Sequence, residues 1–201
     1  MIILLMTWED IFLTVLLNLI CGIIVSLVFL WFLLRWLRPK IKISDQICCT
    51  TELVINEKGV EIEIPKYTFK VVNCSIYHAF DVKIELYALR PIPLVGANSN
   101  LKLIKLKLRT SDRTHITRFR KKHHQKDPFA LFAFLLHTND DLHKYLAENE
   151  TYIELRITLR HGLTGLADTF TQQYSNQDVI KKEHKFNFGG KFDAIPKNRA
   201  I

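Results

Sequence analysis

The sequence lacks the motifs by which most enzyme classes are recognised. Its seven glycines form no glycine-rich phosphate loop, and its eight histidines show neither the HExxH nor the HxxxH spacing of a helical zinc site. No serine stands in the strand–turn–helix context of a nucleophile elbow. We therefore predict that the protein is not an enzyme and that it holds no cofactor and no metal ion.

Cysteine is scarce, and the four cysteines show no pairing pattern. Cys48 and Cys49 are adjacent, Cys74 stands alone, and Cys21 lies in an apolar run. Adjacent cysteines cannot easily bridge each other, and the spacing matches no zinc site. We predict free thiols, as expected in a reducing compartment, with palmitoylation of Cys48 or Cys49 as an alternative.

Charge is absent from Ile11 to Leu34. About 20 helical residues cross the hydrocarbon of a bilayer, so this run is long enough to span it. Trp8 lies near one end of the run, and Trp31 and Trp36 lie near the other, as expected of interfacial aromatic residues. The sequence predicts a single transmembrane α-helix, within an N-terminal anchor of residues 1–38.

The residues that flank the run set the expected orientation. Only Glu9 and Asp10 precede it closely, whereas four basic residues follow it: Arg35, Arg38, Lys40 and Lys42. The positive-inside tendency places the N-terminus outside and the rest of the chain in the cytoplasm, which corresponds to the cell inner (plasma) membrane. A cleaved signal peptide is the alternative. The long apolar run, the missing basic n-region and the missing small-residue cleavage site count against it.

Inside the apolar run, a small or polar residue recurs at every fourth position: Thr14, Asn18, Gly22 and Ser26. This spacing forms one stripe along a helix. Small residues let helices approach closely in lipid, and polar side chains form hydrogen bonds between them. The stripe predicts a homo-oligomer or a heteromer with another membrane protein. A passive anchor with a chance pattern and a pore lined by several copies are the alternatives.

Beyond Pro39, alternating apolar and polar residues predict short antiparallel strands at 60–65, 66–73, 80–89, 101–108, 151–160, 168–174 and 186–192. One short helix is expected at 140–148, with Asn139 as its N-cap. Many short strands with turns between them predict a mainly β fold, an immunoglobulin-like β-sandwich over residues 39–195. Residues 196–201 are expected to form a flexible tail.

Three details of these strands are specific enough to check. Strand 80–89 should direct Phe80, Val82, Ile84 and Leu86 to one face, and strand 151–160 should bury Ile153, Leu155, Ile157 and Leu159. In strand 101–108 the apolar alternation slips between Leu103 and Ile104, which predicts a β-bulge.

Two stretches resemble one known family. KYTFKVVNCSIYHAFDVKIELYAL (66–89), and IELRITLRHGLTGLADTFTQQY (153–174) followed by FGGKF (188–192), are similar in order and pattern to the cytoplasmic domain of inward-rectifier potassium channels. The resemblance covers about residues 40–195. It implies an immunoglobulin-like sandwich that assembles as a tetramer and responds to anionic lipids, nucleotides or proteins. The chain has no selectivity-filter sequence, pore helix or second span, so a rectifier-type pore is excluded for it alone.

Positive charge is concentrated in residues 99–126, where the densest part includes Arg118, Arg120, Lys121 and Lys122. Three interpretations compete: a solvated strand face, contact with the anionic inner leaflet, and an anionic ligand such as a nucleotide. Together with the four basic residues after the membrane helix, this cluster is the predicted site for an anionic lipid or ligand. Nucleic acid is disfavoured because only Phe119 is interleaved for base stacking.

These patterns lead to one functional hypothesis and one alternative. The first is a non-enzymatic single-pass membrane protein whose cytosolic sandwich senses a ligand, an anionic lipid or a partner. Its transmembrane helix self-associates, for instance in a gated membrane-perturbing effector of antiphage defence. The alternative is a passive membrane-anchored accessory or scaffold protein that recruits a cytosolic partner.

Overall fold

The computed structural model describes residues 8–55, 59, 61–93, 99–120, 131–148, 150–161 and 165–197. The chain divides into two compact units, Met1–Arg38 and Pro39–Ile201. The first unit contains helix α1, Trp8–Trp36. At 1.5 Å per residue, its 29 residues extend over about 44 Å. Its segment Ile11–Trp36 is long and apolar enough to cross a membrane.

The second unit is mainly β, as predicted. In chain order its elements are β1 (Ile41–Ile43), β2 (Ile47–Ile55), β3 (Glu61–Asn73), β4 (Ala79–Pro93), β5 (Ser99–Leu106), β6 (Asp112–Ile116), β7 (Ala133–Thr138), α2 (Leu142–Ala147), β8 (Tyr152–His161), β9 (Ala167–Tyr174), β10 (Ile180–Lys182), β11 (His184–Phe186) and β12 (Ala194–Pro196). A 3₁₀ turn at Gln177–Val179 precedes β10.

Two larger sheets build this unit. In the first sheet, β1 pairs with residues 71–73 of β3, and β2 pairs with residues 61–68 of β3. β7 also pairs with β3, and β10 runs parallel to β2. In the second, the order is β5-β4-β8-β9, and β6 pairs with the first part of β4. β11 and β12 form a separate two-stranded sheet. Buried side chains of both larger sheets form one hydrophobic cluster, the core of the sandwich.

Strand periodicity places the core of the second sheet correctly. Ile153, Leu155, Ile157 and Leu159 on β8 are fully buried, as predicted, and so are Val82, Ile84 and Leu86 on β4. The prediction for Phe80 is wrong, since this side chain is 42% exposed. The register between β4 and β8 shifts between Phe80 and Lys83, and Asp81 has φ +48°, so a bulge turns Phe80 away from the core.

The predicted bulge in strand 101–108 is also wrong. β5 pairs with β4 in continuous register from Leu106 to Ser99. Leu106 is buried and Ile104 partly buried, whereas Leu101 and Leu103 are exposed on the other face. The apparent slip therefore arises because leucine occupies both faces of a regular strand.

Three further boundaries differ from the prediction. The strands expected at 60–65 and 66–73 form the single strand β3, which continues through Pro65. The stretch 186–192 is not a strand: β11 ends at Phe186, and the residues that follow lead to β12. The N-cap of α2 is Asp141, whose carboxylate accepts hydrogen bonds from the backbone N–H groups of His143 and Lys144 at 3.1 and 3.3 Å.

The predicted N-cap, Asn139, has a different role. Its side-chain amide donates to the carbonyl of Pro65 at 3.0 Å, and its side-chain oxygen accepts from Nε of Arg109 at 2.9 Å. Asn139 therefore ties β3 to the segment after β5 rather than starting the helix.

A buried lysine fixes the loop between β11 and β12. Lys70, on β3, is 2% exposed, and its Nζ donates to the carbonyls of Asn187 and Lys191 at 2.5 and 2.6 Å. Burial lowers the pKa of this ammonium group from 10.5 to about 8, although Asp193 opposes the change. A neutral amine retains two donors, so both hydrogen bonds survive deprotonation.

This arrangement predicts an unusual pH dependence. Between pH 8 and 10.5 the unfolded chain holds the proton of Lys70 more tightly than the folded chain, so the contribution of Lys70 to stability rises with pH in this window. We expect the free energy of unfolding of the wild type, measured against Lys70→Met, to increase by up to about 3 kcal/mol across the window. Urea unfolding followed by circular dichroism at several pH values measures this difference. A constant difference would contradict the assignment.

Candidate binding cleft and basic end

Part of the predicted basic site lies at the end of the sandwich where the chain enters it. The backbone N–H of Cys74 donates to the carbonyl of Lys40 at 2.7 Å, and that of Phe119 donates to the carbonyl of Ser75 at 2.9 Å. These bonds join the segment before β1, the turn after β3 and the segment after β6. The structure thus brings the segments that contain Lys40 and Phe119 to the same end of the sandwich, although they are far apart in sequence.

Phe119 is the anchor of this end. Its ring packs against Phe132, with 5.2 Å between ring centroids, in a small cluster around the buried side chain of Val72. This packing leaves Phe119 half-buried. Its neighbours Arg118 and Arg120 are exposed on either side.

The other basic candidates have separate positions. Lys40 and Lys42 are exposed on the sandwich, at and just after the entry point. Arg35 and Arg38 are exposed in the N-terminal unit, where the guanidinium of Arg35 lies 5.7 Å from the ring centroid of Trp31. The two remaining predicted residues, Lys121 and Lys122, lie outside the described residues.

Other basic residues of 99–126 are used within the sandwich. Arg109 forms a salt bridge with Glu52, and Lys105 forms one with Glu85 at 3.3 Å. The guanidinium of Arg113 lies 4.8 Å from the ring centroid of Phe134. Arg109, Lys105 and Arg113 thus have partners within the sandwich, whereas Arg118 and Arg120 are exposed. The sequence does not reveal this difference.

A cleft of about 490 Å³ opens where β1, of the first sheet, meets β9, of the second. Its lining combines the ammonium of Lys42, the carboxylate of Asp45, two aromatic rings and polar side chains of β9; the lining residues are Ile41, Lys42, Ile43, Asp45, Phe170, Thr171, Gln172 and Phe192. Apolar rings beside a few polar groups are one feature of small-molecule sites, and this cleft is open to solvent on one side. Of the residues predicted for an anionic ligand, Lys42 lies here.

The wall of the cleft is held by a hydrogen bond between the sheets. The hydroxyl of Tyr174, at the end of β9, donates to the backbone carbonyl of Ser44 at 2.6 Å, next to Asp45. The ring of Tyr174 packs against Phe69 with 5.6 Å between centroids. Burial raises the pKa of this hydroxyl well above its usual range, so it remains a donor at physiological pH.

Sequence reasoning missed the cleft. Alternation identifies 168–174 as a strand, but nothing in its composition shows that Phe170 and Gln172 line a cleft together with residues of β1. That proximity arises only because β1 and β9 are at neighbouring edges of two sheets, which is a property of topology. Lys42 was found through its position after the apolar run.

The stripe on α1 is exposed. Asn18, Gly22 and Ser26 are all exposed, as is Thr14, and a Cβ built on Gly22 would meet nothing within 4 Å. None of the apolar window of α1 is buried. The exposed side chains of this window are available for lipid or for other helices.

Burial keeps the thiols of the sandwich in their neutral form. All four cysteines are free, as predicted, and burial raises the pKa of Cys48 to about 12 and also raises those of Cys49 and Cys74. Thiols in this state are poor nucleophiles and poor metal ligands. Within the described residues, no group of three or more histidine, cysteine, aspartate or glutamate side chains is placed to hold a metal ion.

Comparison with known proteins does not extend this description. No model of a known protein family matches the chain, and a search of curated proteins finds no match. The fold and the cleft are therefore the basis for a functional proposal.

Proposed function

We propose that the chain is a non-enzymatic, single-pass protein of the cell inner (plasma) membrane, with its N-terminus outside and its β-sandwich in the cytoplasm. The length and hydropathy of α1 and the charges that flank it support this arrangement. The sandwich senses a ligand, and self-association of α1 carries the response into the membrane. We also propose that the sandwich is related to inward-rectifier cytoplasmic domains, on the basis of the resemblance of residues 66–89, 153–174 and 188–192.

The observation that carries the proposal is the position of the cleft. One of its walls is β1, the first strand after α1, and only residues 37–40 separate the two elements. A ligand that contacts both β1 and β9 stabilises the conformation of the sandwich in which both strands can contact it. Because a ligand shifts an equilibrium toward the state that it binds better, occupancy of the cleft can bias how copies of α1 associate.

The lining indicates the chemistry of the ligand. Phe170 and Phe192 offer apolar faces for a planar ring, Lys42 offers a cation for one anionic group, and Asp45 accepts hydrogen bonds from amino or hydroxyl groups. A small ring-bearing anion of the nucleotide type has all three features. Anionic lipid headgroups fit the exposed Lys40, Arg118 and Arg120, each worth about 1 kcal/mol close to the membrane surface.

We expect at least one of AMP, cyclic AMP, cyclic GMP and nicotinate to bind the full chain in nanodiscs, and Lys42→Glu to weaken that binding by about tenfold or more, since it replaces the cation of the cleft. Isothermal titration calorimetry measures both affinities. Lys182→Glu, an exposed substitution on β10, is the matched control and should bind as the wild type does. Equal affinity of Lys42→Glu and the wild type would contradict ligand binding in this cleft.

The second candidate function is a passive membrane-anchored accessory or scaffold protein that recruits a cytosolic partner. The exposed apolar side chains at the end of the β2–β3 hairpin favour this reading. It predicts that the full chain binds none of the four probes and that changes to the stripe on α1 leave its behaviour unaltered.

A further inference from the structure

The end of the β2–β3 hairpin exposes apolar side chains that no described element covers. Leu53, Val54, Ile55 and Ile62 are 62%, 37%, 68% and 44% exposed. They lie where β2 and β3 pair from Leu53↔Glu63 to Ile55↔Glu61, and none of the described residues of this end is buried. A two-stranded ribbon with this much exposed apolar surface gains stability when another element covers it.

This end of the hairpin also has an open strand edge. Among the described residues, 61–64 of β3 pair with β2 alone, and the pairing of β7 with β3 begins at Tyr67. The open edge reads Glu-Ile-Glu-Ile, and neither Glu61 nor Glu63 has a side-chain ion pair within the described part of the chain. Acidic and apolar side chains therefore alternate along this edge.

A second open edge has the opposite charge. β5 is the outermost strand of its sheet and pairs only with β4 among the described residues. Its face away from the core carries Leu101 and Leu103, which are 43% and 50% exposed. Lys102 and Lys105 are exposed on β5, and of these two only Lys105 is engaged in a described ion pair. Lys107 is exposed just beyond β5, where its backbone N–H donates to Oδ2 of Asp140 at 2.6 Å and its carbonyl accepts from the hydroxyl of Thr138, so only its side chain is available.

The charges determine which pairings these edges permit. Like charges oppose the pairing of either edge with its own copy, whereas an acidic edge and a basic edge attract each other. Glutamate opposite lysine and isoleucine beside leucine are both favourable cross-strand neighbours. The acidic character of the hairpin also disfavours its insertion into an anionic membrane surface.

We propose that the open edge of β3, at residues 61–64, pairs with the open edge of β5 in a second copy of this chain. The contact joins two different surfaces, so repetition of it produces a closed ring or an open row of sandwiches. Copies anchored in one membrane share a common orientation, which favours a ring around the membrane normal. The inference rests on the proposed self-association of the chain, and it adds a specific interface in the sandwich.

Zero-length cross-linking tests the contact in the full chain in nanodiscs. A carbodiimide joins a glutamate carboxyl to a lysine amine, with loss of the carboxyl oxygen to the resulting urea, only where the two groups touch. We expect amides between Glu61 or Glu63 and Lys102, Lys105 or Lys107, and in a mixture of ¹⁴N- and ¹⁵N-labelled copies these peptides should contain both isotopes. Cross-linked peptides of a single isotope, or none from these residues, would overturn the inference.

Charge-reversal variants test the proposed pairing of β3 with β5 more specifically. One variant carries Glu61→Lys with Glu63→Lys, and the other carries Lys102→Glu with Lys107→Glu. The first variant has no carboxyl left at the contact, so it cannot form the cross-link with its own copies. The second keeps Glu61, Glu63 and Lys105 and should lose at least about fivefold of its cross-linking between copies through repulsion alone. An equal mixture of the two should recover the cross-link, since every contact between the two variants is again attractive. Lys182→Glu with Lys185→Glu is the control and should leave cross-linking unchanged. Failure of the mixture to recover, or loss in the control, contradicts this pairing.

The same assay in an Asn18→Leu, Gly22→Leu background separates this inference from the proposed helix association. Charge-dependent cross-linking that persists there supports the sandwich contact even if the helices do not associate. Oligomers that form in the wild type without any charge-dependent cross-link overturn the sandwich contact and leave association through α1 intact.

Discussion

Tyr174→Ala is expected to lower the free energy of unfolding of the sandwich by about 3–5 kcal/mol. The side chain is 1% exposed, its ring packs on Phe69 of the opposite sheet, and its hydroxyl donates to the carbonyl of Ser44. Truncation therefore opens a cavity between the sheets and leaves a carbonyl without its donor. Urea unfolding of the full chain in detergent, followed by circular dichroism in the β-sheet region, measures the loss.

Tyr174→Phe is the matched control for this prediction. It retains the ring and removes only the hydrogen bond, so the expected cost is about 1–2 kcal/mol. If Tyr174→Phe lowers the free energy of unfolding as much as Tyr174→Ala does, the ring contributes nothing to the packing between the two sheets. Because Ser44 adjoins Asp45 in the cleft, the phenylalanine variant should also bind the AMP-type probes less tightly than the wild type.

The second large effect concerns the membrane helix. Replacing Asn18 and Gly22 with leucine should convert the proposed oligomer largely to single chains, because the change removes one polar side chain and fills the surface where another helix can approach. Interhelical hydrogen bonds in lipid contribute about 0.6–2 kcal/mol each, so the combined effect on association is about tenfold or more. Native mass spectrometry of the detergent-solubilised chain measures the distribution of oligomers.

Ile20→Leu with Ile24→Leu is the control for the helix. These positions have the same spacing on a different face of α1, so they change the side chains without touching the stripe. The wild-type distribution of oligomers should be retained in this variant. An unchanged distribution in the Asn18, Gly22 variant would favour the passive anchor instead.

The fold was predictable where one physical signal dominated. The uncharged run predicted α1, and period-two alternation identified the buried face of β8, because Ile153 and Leu155 lie on a strand covered by the opposite sheet. The same logic misplaced Phe80, since the bulge at Asp81 changes the face of every residue before it. Bulges depend on pairing with other strands, and a single strand sequence does not report them.

The candidate site was predictable only in part. Lys40 and Lys42 were identified from their position after the apolar run, and Arg118 and Arg120 from local charge density. Their placement at one end of the sandwich depends on hydrogen bonds between segments about 35 and 45 residues apart, and on the packing of Phe119. The cleft and the open edges of β3 and β5 likewise follow from strand order, which sequence alternation does not specify.

The most direct test of the account is the state of the chain in its native membrane. Residues 11–34 are proposed as a permanent crossing with the sandwich on the cytoplasmic side. We predict that alkaline washing leaves the intact chain in the membrane fraction, with an intact mass that includes residues 1–38. External protease should digest the sandwich only after the membrane is permeabilised. A shortened chain that begins near Pro39 and is released in soluble form would contradict the account.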